Sequence, residues 1–386
     1  MDMPVAGEIA TIAHGRDITR GWVDGLGLLP PMDAIQRDFG RFLDIYEKVL
    51  EDSQVAATFQ QRRLAVVCKP WEVIPGEPTD QGRLAADFIR KTLSRLDWDD
   101  LTERMLYARF YGFAVAECIW AREGDRIILQ QLRVRDVRRF GFGPDFSLRL
   151  KVPGNLFGEV MPEKKFWVIN SGASHHDEPY GLGLAYWLYW PVYFKRNGLR
   201  LWLKLLEKFG APTAVGRFPN GCDEVSRNQL LSALAALQSD AGVILPEGME
   251  IKLLEATRGG TPGYEKLYDN MNAAIAKVVL SQTMTTDSGA SHSQAQVHMD
   301  VRRDVIEADA DLIDNSFNRT VVAWLTAWNF PGVTPPIVRR IMIEPVDLLQ
   351  RSERDRNLFT IGYRPTLEEI RSVYGNGMEA VPPAAA

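Results

Sequence analysis

The chain has 386 residues, of which 46% are hydrophobic and 25% are charged, and its formal net charge is −5 at pH 7. This composition is typical of a folded globular protein and excludes a disordered one. The acidic balance also excludes an overall basic field that would draw the protein to nucleic acid or to an anionic membrane.

The cysteines and the most apolar segment indicate the cellular compartment. Cys68, Cys118 and Cys222 lie far apart, without the paired spacing of a zinc or redox motif, so we expect reduced thiols in a cytosolic protein. Residues 1–29 carry charges where a signal peptide needs an apolar segment, and we expect a flexible arm. Residues 181–194 are too short for a span of about 20 residues. We therefore expect neither secretion nor a membrane span.

The first half of the chain alternates between two kinds of periodicity. Apolar residues at helical spacing predict helices over residues 39–50, from about Ser53 onward, and over 81–109. The segment LAVVCKPWEVIPG predicts a pair of strands, and three later segments predict a sheet that includes a hairpin at RFGFGPD. We expect one α+β domain from residue 30 to about 170.

The second half is different in kind. Residues 181–209 predict a long helix with apolar or aromatic residues on almost every side. Pro191 either kinks this helix or divides it into two. A small β-α-β module, a helix over 263–280, a polar segment, a long helix from Ala295, a strand and a short C-terminal helix follow in order. Because a long helix pair with aromatic residues all round cannot be solvated on its outer faces, we expect it to bury them against copies of itself.

Candidate catalytic and metal sites are weak. The adjacent residues of the HHDE turn, His175 to Glu178, cannot all converge on one ion. His292 lies near three serines, but a nucleophile pair also needs an orienting acid and an oxyanion hole on a rigid frame. The nucleotide-binding signature GxxxxGK[ST] is absent. We assign no catalytic, cofactor-binding or metal-binding residue.

Two groups of basic residues are candidates for contact with DNA or with a neighbouring subunit, and both alternatives stay open. They are Arg133, Arg135, Arg138 and Arg139 in a strand and loop, and Lys195, Arg196, Arg200 and Lys204 in the long helix. The helix from Ala295 is acidic instead. Its residues Asp300, Asp304, Glu307, Asp309, Asp311 and Asp314 would repel phosphate if their face lined a DNA passage.

Five segments, taken together, resemble the Mu-like phage portal proteins. They are RFYGFAVAECIW, DEPYGLGL, LWLKLLEKFGAPTAVGRF, KVVLSQTMTTDSGASHSQAQVHMDVRRDVIEADADLI and NRTVVAWLTAWNF. Each is weak alone, but all five run in family order between about residues 30 and 330. The family departs from this chain in two respects: it commonly has glycine at the position of Ser281, and its members often extend further at the C-terminus.

The resemblance implies an α+β portal-protein fold. Portals are rings, usually of twelve copies, at one capsid vertex. The expected regions are an arm (1–29), an α+β wing (30–180), a stem helix (181–210), a small α/β clip (211–256), a return stem helix (257–281), a tunnel loop (282–296), a long wing helix (297–330) and a C-terminal wing, crown and tail (331–386).

The resemblance also implies roles for particular residues. A loop that projects into a DNA channel suits small polar residues with varied backbone conformations. The expected tunnel-loop residues are Thr283, Met284, Thr285, Thr286, Asp287, Ser288, Gly289, Ser291, His292 and Ser293. The expected subunit-interface residues of the stem are Tyr186, Trp187, Trp190 and Trp202.

The implied partners are further copies of the chain, the major capsid protein, a scaffolding protein, the terminase large subunit, a head-tail connector or neck protein, and double-stranded DNA bound without sequence preference. The implied location is the capsid portal vertex of the virion, and the host cytoplasm during assembly. The alternatives are a minor capsid or head-tail adaptor protein without a channel, and a soluble intracellular enzyme.

Overall fold

The computed structural model describes residues 27–31, 33, 35, 43–172, 179–209, 213–237, 250–254, 262–281, 292–342 and 348–374. The chain divides into two compact units, Met1–Arg340 and Ile341–Ala386. In the described part, every helix is too short or too polar to cross a membrane.

Short helices begin the first unit. They are α1 (Asp44–Leu50), α2 (Ser53–Val67), α3 (Asp80–Leu96), α4 (Trp98–Met105) and α5 (Ala108–Tyr111). Helix α2 begins at the expected Ser53 because Asp52 caps it: the carboxylate accepts hydrogen bonds from the N–H groups of Gln54 and Val55, at 3.0 and 3.3 Å. These two donors have no partner inside the helix, so the cap satisfies them.

The expected single helix over 81–109 is wrong, because the structure has three helices there. Asp97 has a φ of 54°, in the left-handed region, and this ends α3. Its side chain then accepts a hydrogen bond from the N–H of Asp100 and caps α4. The apolar periodicity continues across the break, so periodicity alone does not reveal it.

Two three-stranded antiparallel sheets follow. Their strands are β2 (Phe113–Glu123), β3 (Arg126–Arg135), β4 (Phe140–Phe142), β5 (Leu148–Val152), β6 (Asn155–Val160) and β7 (Phe166–Asn170). The strand orders are β3-β2-β7 in one sheet and β4-β5-β6 in the other. The expected hairpin is present, since Phe140 pairs with Leu150 and Phe142 with Leu148.

The expected strand pair at LAVVCKPWEVIPG is wrong. Leu64–Val67 form the last turn of α2, and only β1 (Trp71–Ile74) is extended. Its antiparallel partner is β10 (Ile337–Arg340), from the far end of the first unit. The apolar run LAVV fits a helix end as well as a strand, because so short a run carries no period.

Two long helices lie where the stem is expected, α6 (Leu184–Phe209) and α8 (Pro262–Leu280). Pro191 lies inside α6, so the helix is not divided, although proline cannot donate to the carbonyl of Trp187. The helices approach closely at Gly198, where a Cβ would lie 2.9 Å from Leu267 of α8. Between them in sequence, β8 (Thr213–Arg217), α7 (Glu224–Leu237) and β9 (Glu250–Leu254) form the module expected as the clip, with its strands antiparallel.

The long helix α9 (His292–Phe317) continues through a π-helical turn (Asn318–Val322) into α10 (Ala323–Asn329). Its start corrects the expected loop 282–296, because residues 292–296 are already helical. This segment contains glutamine and alanine, which favour helix. The second unit contains α11 (Leu348–Thr360) and α12 (Leu367–Tyr374). We expected only the second of these.

The core joins segments that are far apart in sequence. Trp98 of α4 stacks on Trp167 of β7 at 5.9 Å, and both rings contact Phe317 of α9, at 4.5 and 4.9 Å between centroids. All three side chains are buried. Helix α9 therefore contributes to the same hydrophobic core as α4 and β7.

Candidate functional site

Helix α6 carries an aromatic face that nothing covers within the described part of the chain. Trp187, Trp190, Tyr193 and Phe194 are exposed to 56%, 48%, 46% and 50%. The rings contact one another: Trp190 stacks on Phe194 at 5.9 Å and meets Tyr193 edge-on at 5.8 Å. Such a cluster is preorganised for contact with another apolar surface.

The apolar character continues along the second half of α6. Leu201, Leu203 and Leu206 are all exposed. The opposite face of the same helix is also apolar and is buried in the domain core, at Ala185, Leu188 and Val192. Helix α6 is therefore apolar on two faces, and the subunit covers only one of them.

The four residues expected at the subunit interface fall into two groups. Trp187 and Trp190 lie on the exposed face. Tyr186 instead packs against the hydrophobic core, and Trp202 is half-buried, with its indole Nε1 buried and without a hydrogen-bond partner among the described residues. Consecutive residues of a helix point about 100° apart, so Tyr186 does not share the exposed face of its neighbour Trp187.

Five exposed residues of α6 were missed: Tyr193, Phe194, Leu201, Leu203 and Leu206. A signal for two of them was present in the sequence, since Trp187, Trp190, Phe194 and Leu201 follow one another at i, i+3, i+7 and i+14 and so share one helical face. The run of apolar residues on all sides obscured this pattern.

Lys195 does not fit either role expected for it. Its side chain is 3% exposed and its ammonium pairs with Asp52 at 2.9 Å, so it is available neither to DNA nor to a neighbouring subunit. Arg196 lies on the surface, where it donates to the carbonyl of Lys48. Arg200 and Lys204 are exposed and keep both expected roles open.

The second basic group lies beside a groove and is largely paired within the subunit. Arg135 forms an ion pair with Glu117 at 2.6 Å, and Arg138 forms one with Asp136, also at 2.6 Å. Hydrogen bonding from Arg138 holds the pKa of Asp136 below its usual range. The groove has a volume of about 290 Å³, and Tyr107 and Tyr111 line it beside these residues.

The remaining two members of that group are on the surface. Arg133 donates from Nε to the side-chain oxygen of Gln131 at 2.9 Å, and Arg139 is exposed. Because Arg135 and Arg138 are paired with carboxylates, only Arg133 and Arg139 of this group remain candidates for attracting phosphate.

The expected acidic face of α9 separates into exposed and buried residues. Asp304, Glu307 and Asp311 are exposed, whereas Asp309 and Asp314 are buried. The side chain of Asp300 lies outside the described residues. The buried pair bonds to other parts of the subunit, so only the exposed members remain candidates for facing a channel.

Several predicted positions lie outside the described residues. These are the HHDE turn, residues 282–291 of the expected tunnel loop, and the side chains of His292 and Ser293. Among the residues that are described, no group of three or more His, Cys, Asp and Glu side chains is arranged to hold a metal ion.

Comparison with known proteins identifies the family. A family model described as the portal protein of Mu bacteriophage matches residues 43–376. The match covers most of the chain, so this protein belongs to the Mu portal protein family.

Two curated relatives agree with this assignment. The chain is 27% identical to the portal protein of Escherichia phage Mu over 302 residues, which are 77% of this chain and 59% of that protein. It is also 27% identical to the Mu-like prophage FluMu protein gp29 of Haemophilus influenzae over 337 residues, which are 83% of this chain and 63% of that protein. The chain thus spans about three fifths of the length of these relatives.

Solved structures share the fold. A chain in the virion of a native gene transfer agent particle superposes with a TM-score of 0.62 at 12% identity, covering 92% of this chain and 97% of that one. A chain in the neck of the native particle, computed with C12 symmetry, gives 0.57 at 13% identity and covers 92% of this chain and 97% of that one. The chain therefore has the α+β portal fold expected from its sequence.

Proposed function

We propose that this chain is the subunit of a ring that conducts double-stranded DNA through one vertex of a phage capsid, during packaging, retention and ejection. The observation that carries the proposal is the uncovered apolar face of α6, which runs from Trp187 to Leu201. Family membership supplies the context, and the C12 neck of the gene transfer agent supports a ring of twelve copies.

A second copy of the chain is the occupant that best suits the exposed face of α6. The face extends from Trp187 to Leu201, and patches of this kind mark interaction sites. Burying it removes apolar surface from water at about 25 cal/mol per Å². In a cyclic ring each subunit offers one face and receives another, so every copy of α6 is covered.

The proposed channel segment is residues 282–291, the part of the expected tunnel loop that lies between α8 and α9. The sequence there is small and polar, with Gly289 and several serines and threonines, and it has no lysine or arginine to hold phosphate. The exposed Asp304, Glu307 and Asp311 of α9 have the sign that repels DNA. A channel for DNA requires both the lack of basic residues and the negative charge, because tight binding would stop the DNA from moving.

The proposed partners follow from this role. The capsid protein and the scaffolding protein surround the ring during assembly, the terminase large subunit docks at the module formed by β8, α7 and β9, and a head-tail connector later replaces it. The role is structural and not enzymatic, since the terminase hydrolyses ATP. The ring resides in the virion and forms in the host cytoplasm.

Charge on the α6 face tests the proposal. Trp190→Glu is expected to reduce ring formation at least tenfold, measured by native mass spectrometry, because a carboxylate in the interface would be desolvated without a partner. Leu156→Glu is the matched control. Leu156 is 83% exposed on β6, away from the stem, and its substitution is expected to leave ring formation unchanged. Equal ring yields from the two variants would contradict the interface.

A further inference from the structure

Helix α2 is bonded to the outgoing stem helix at its first turn. The carboxylate of Asp52, which caps α2, accepts a hydrogen bond from the ammonium of Lys195 of α6 at 2.9 Å. The two side chains are 6% and 3% exposed. The same ammonium lies 5.0 Å from the ring centroid of Tyr268 on α8, so this charge contacts both stem helices.

The same helix is bonded to the return stem helix three turns later. Arg62 donates from one terminal nitrogen to the carbonyl of Val279 at 2.6 Å. Val279 lies in the last turn of α8, where carbonyls have no partner inside the helix, and a cation is favoured there by the helix dipole. Arg62 thus caps the stem helix from the wing.

The other side of the Arg62 guanidinium binds the long helix α9. Its Nε and second terminal nitrogen donate to the two carboxylate oxygens of Asp309, at 2.6 and 2.9 Å. The side chain of Asp309 is 2% exposed. It also forms an ion pair with Arg109, whose Nε lies 2.7 Å away but makes no hydrogen bond. Arg109 donates to the carbonyl of Ala308 at 2.9 Å. One buried carboxylate therefore joins α2, α5 and α9.

Together these bonds fix the direction of the stem relative to the wing. Asp52 and Arg62 are separated by about 15 Å along α2, at about 1.5 Å per residue. Two bonds at that separation on one rigid helix define an orientation, which a single bond does not. Apolar side chains can slide past each other, but a buried charge that leaves its partner is uncompensated, so these contacts resist a change in angle more strongly.

We propose that Asp52 and Arg62 are positioning residues that set the number of subunits in the ring, by holding the stem at one angle to the wing. This inference rests on the ring proposed above. In a closed ring of twelve subunits, each subunit is rotated by about 30° relative to its neighbour, and in a ring of thirteen by about 28°. A change of about 2° in this rotation is therefore enough to alter the number of subunits. If both the wing and the stem contact the neighbouring subunit in the proposed ring, a change in the angle between them changes the rotation from one subunit to the next.

The test uses three variants and one matched control in the full-length protein. Arg62→Gln removes the charge, Arg62→Lys keeps the charge but loses the planar fork, and Asp52→Asn keeps a good helix cap while removing the ion pair. Arg63→Gln is the control. Arg63 neighbours Arg62 on α2 but pairs with Glu103 of α4 at 2.9 Å, inside the wing.

The readout is the distribution of ring copy number, from native mass spectrometry and from symmetry in electron-microscopy classes. The fraction of rings with the most abundant wild-type count is expected to fall at least twofold for Arg62→Gln and Asp52→Asn, less for Arg62→Lys, and not for Arg63→Gln. A folded Arg62→Gln that forms no rings while Arg63→Gln does form them also supports the proposal.

Two results would overturn the inference. One is an unchanged distribution in both Arg62→Gln and Asp52→Asn, and the other is an equal broadening in Arg63→Gln, which would show that loss of stability alone is responsible. Failure of the proposed function looks different. In that case the wild-type chain itself forms no rings, even when it is co-expressed with capsid and scaffolding proteins, and the inference falls with it.

Discussion

Asp314 of α9 accepts a hydrogen bond from the backbone N–H of Arg340 at 2.7 Å, and its other carboxylate oxygen has no hydrogen-bond partner among the described residues. Burial raises the pKa of this carboxyl to about 7, against the opposing effects of the N–H and the charge of Arg340, and with a small contribution from Asp311. The bond joins α9 to β10, the strand that pairs with β1.

The raised pKa of Asp314 predicts that the subunit loses stability as the pH rises. Between about pH 4 and 7 the unfolded chain has released this proton and the folded chain has kept it, so the free energy of unfolding falls over that interval. Asp314→Asn, which cannot ionise, is expected to be more stable than the wild type at pH 8 by about 1–3 kcal/mol. Urea unfolding at pH 5 and pH 8 measures the difference, which should shrink at pH 5.

The control for this prediction is Asp304→Asn, on the exposed side of the same helix. Its stability relative to the wild type is expected to be the same at both pH values. An Asp314→Asn variant whose advantage did not grow with pH would indicate that Asp314 is ionised in the folded protein.

Ser281 has a φ of 58°, in the left-handed region that favours glycine, and it directly follows the last turn of α8. Because a Cβ in this conformation costs about 1 kcal/mol, Ser281→Gly is expected to leave the subunit as stable as the wild type or more stable by up to about 1 kcal/mol. Ser281→Val, with a branched Cβ, is expected to be destabilised. Thermal unfolding of both variants checks the order, and a glycine variant less stable than the valine variant would contradict it.

Trp167 connects the wing sheet to α9 through its ring contacts and through a hydrogen bond from Nε1 to the hydroxyl of Ser316 at 3.1 Å. Trp167→Ala is expected to cost about 3–5 kcal/mol of unfolding free energy, as large-to-small changes of aromatic core residues do. Ser316→Ala removes this hydrogen bond and the one that the Ser316 hydroxyl donates to the carbonyl of Ile313 at 2.9 Å, but keeps the ring contacts, and is expected to cost about 1–2 kcal/mol. Denaturant unfolding separates the two, and similar costs would mean that the ring contacts contribute little.

The proposed channel segment makes a prediction about DNA and not about assembly. Deletion of residues 284–290 leaves the start of α9 at His292 intact, so rings are expected to form normally. Packaging or retention of DNA is expected to be impaired, because the segment would no longer reach the channel. The amount of DNA in purified particles measures this, and a normal phage yield would contradict the assignment.

Much of the fold was predictable because its elements are local. The start of α2 near Ser53, the apolar periodicity of α1 and the length of α6 are all visible in the sequence. The partner of β1 is not, since β10 lies more than 260 residues away and nothing in either four-residue strand specifies the other. The same holds for Phe317, whose place beside Trp98 and Trp167 depends on the return of α9 to the wing.

The candidate site was predictable only in outline. The sequence indicates that α6 is too apolar to be solvated, but it does not show which face the subunit itself covers. Tyr186 and Lys195 were therefore assigned to a surface that they do not occupy. Lys195 shows why: a cation in an apolar helix is usually expected at the surface, and only the structure reveals Asp52 as its buried partner.

Everything proposed for the stem depends on the chain forming a closed ring, so the first experiment is to determine the mass and shape of the purified 386-residue chain. Light scattering and electron microscopy of one fraction are expected to give an assembly near twelve times 43.5 kDa with a central hole. A 43.5 kDa monomer that capsid and scaffolding proteins fail to assemble would contradict the proposed function.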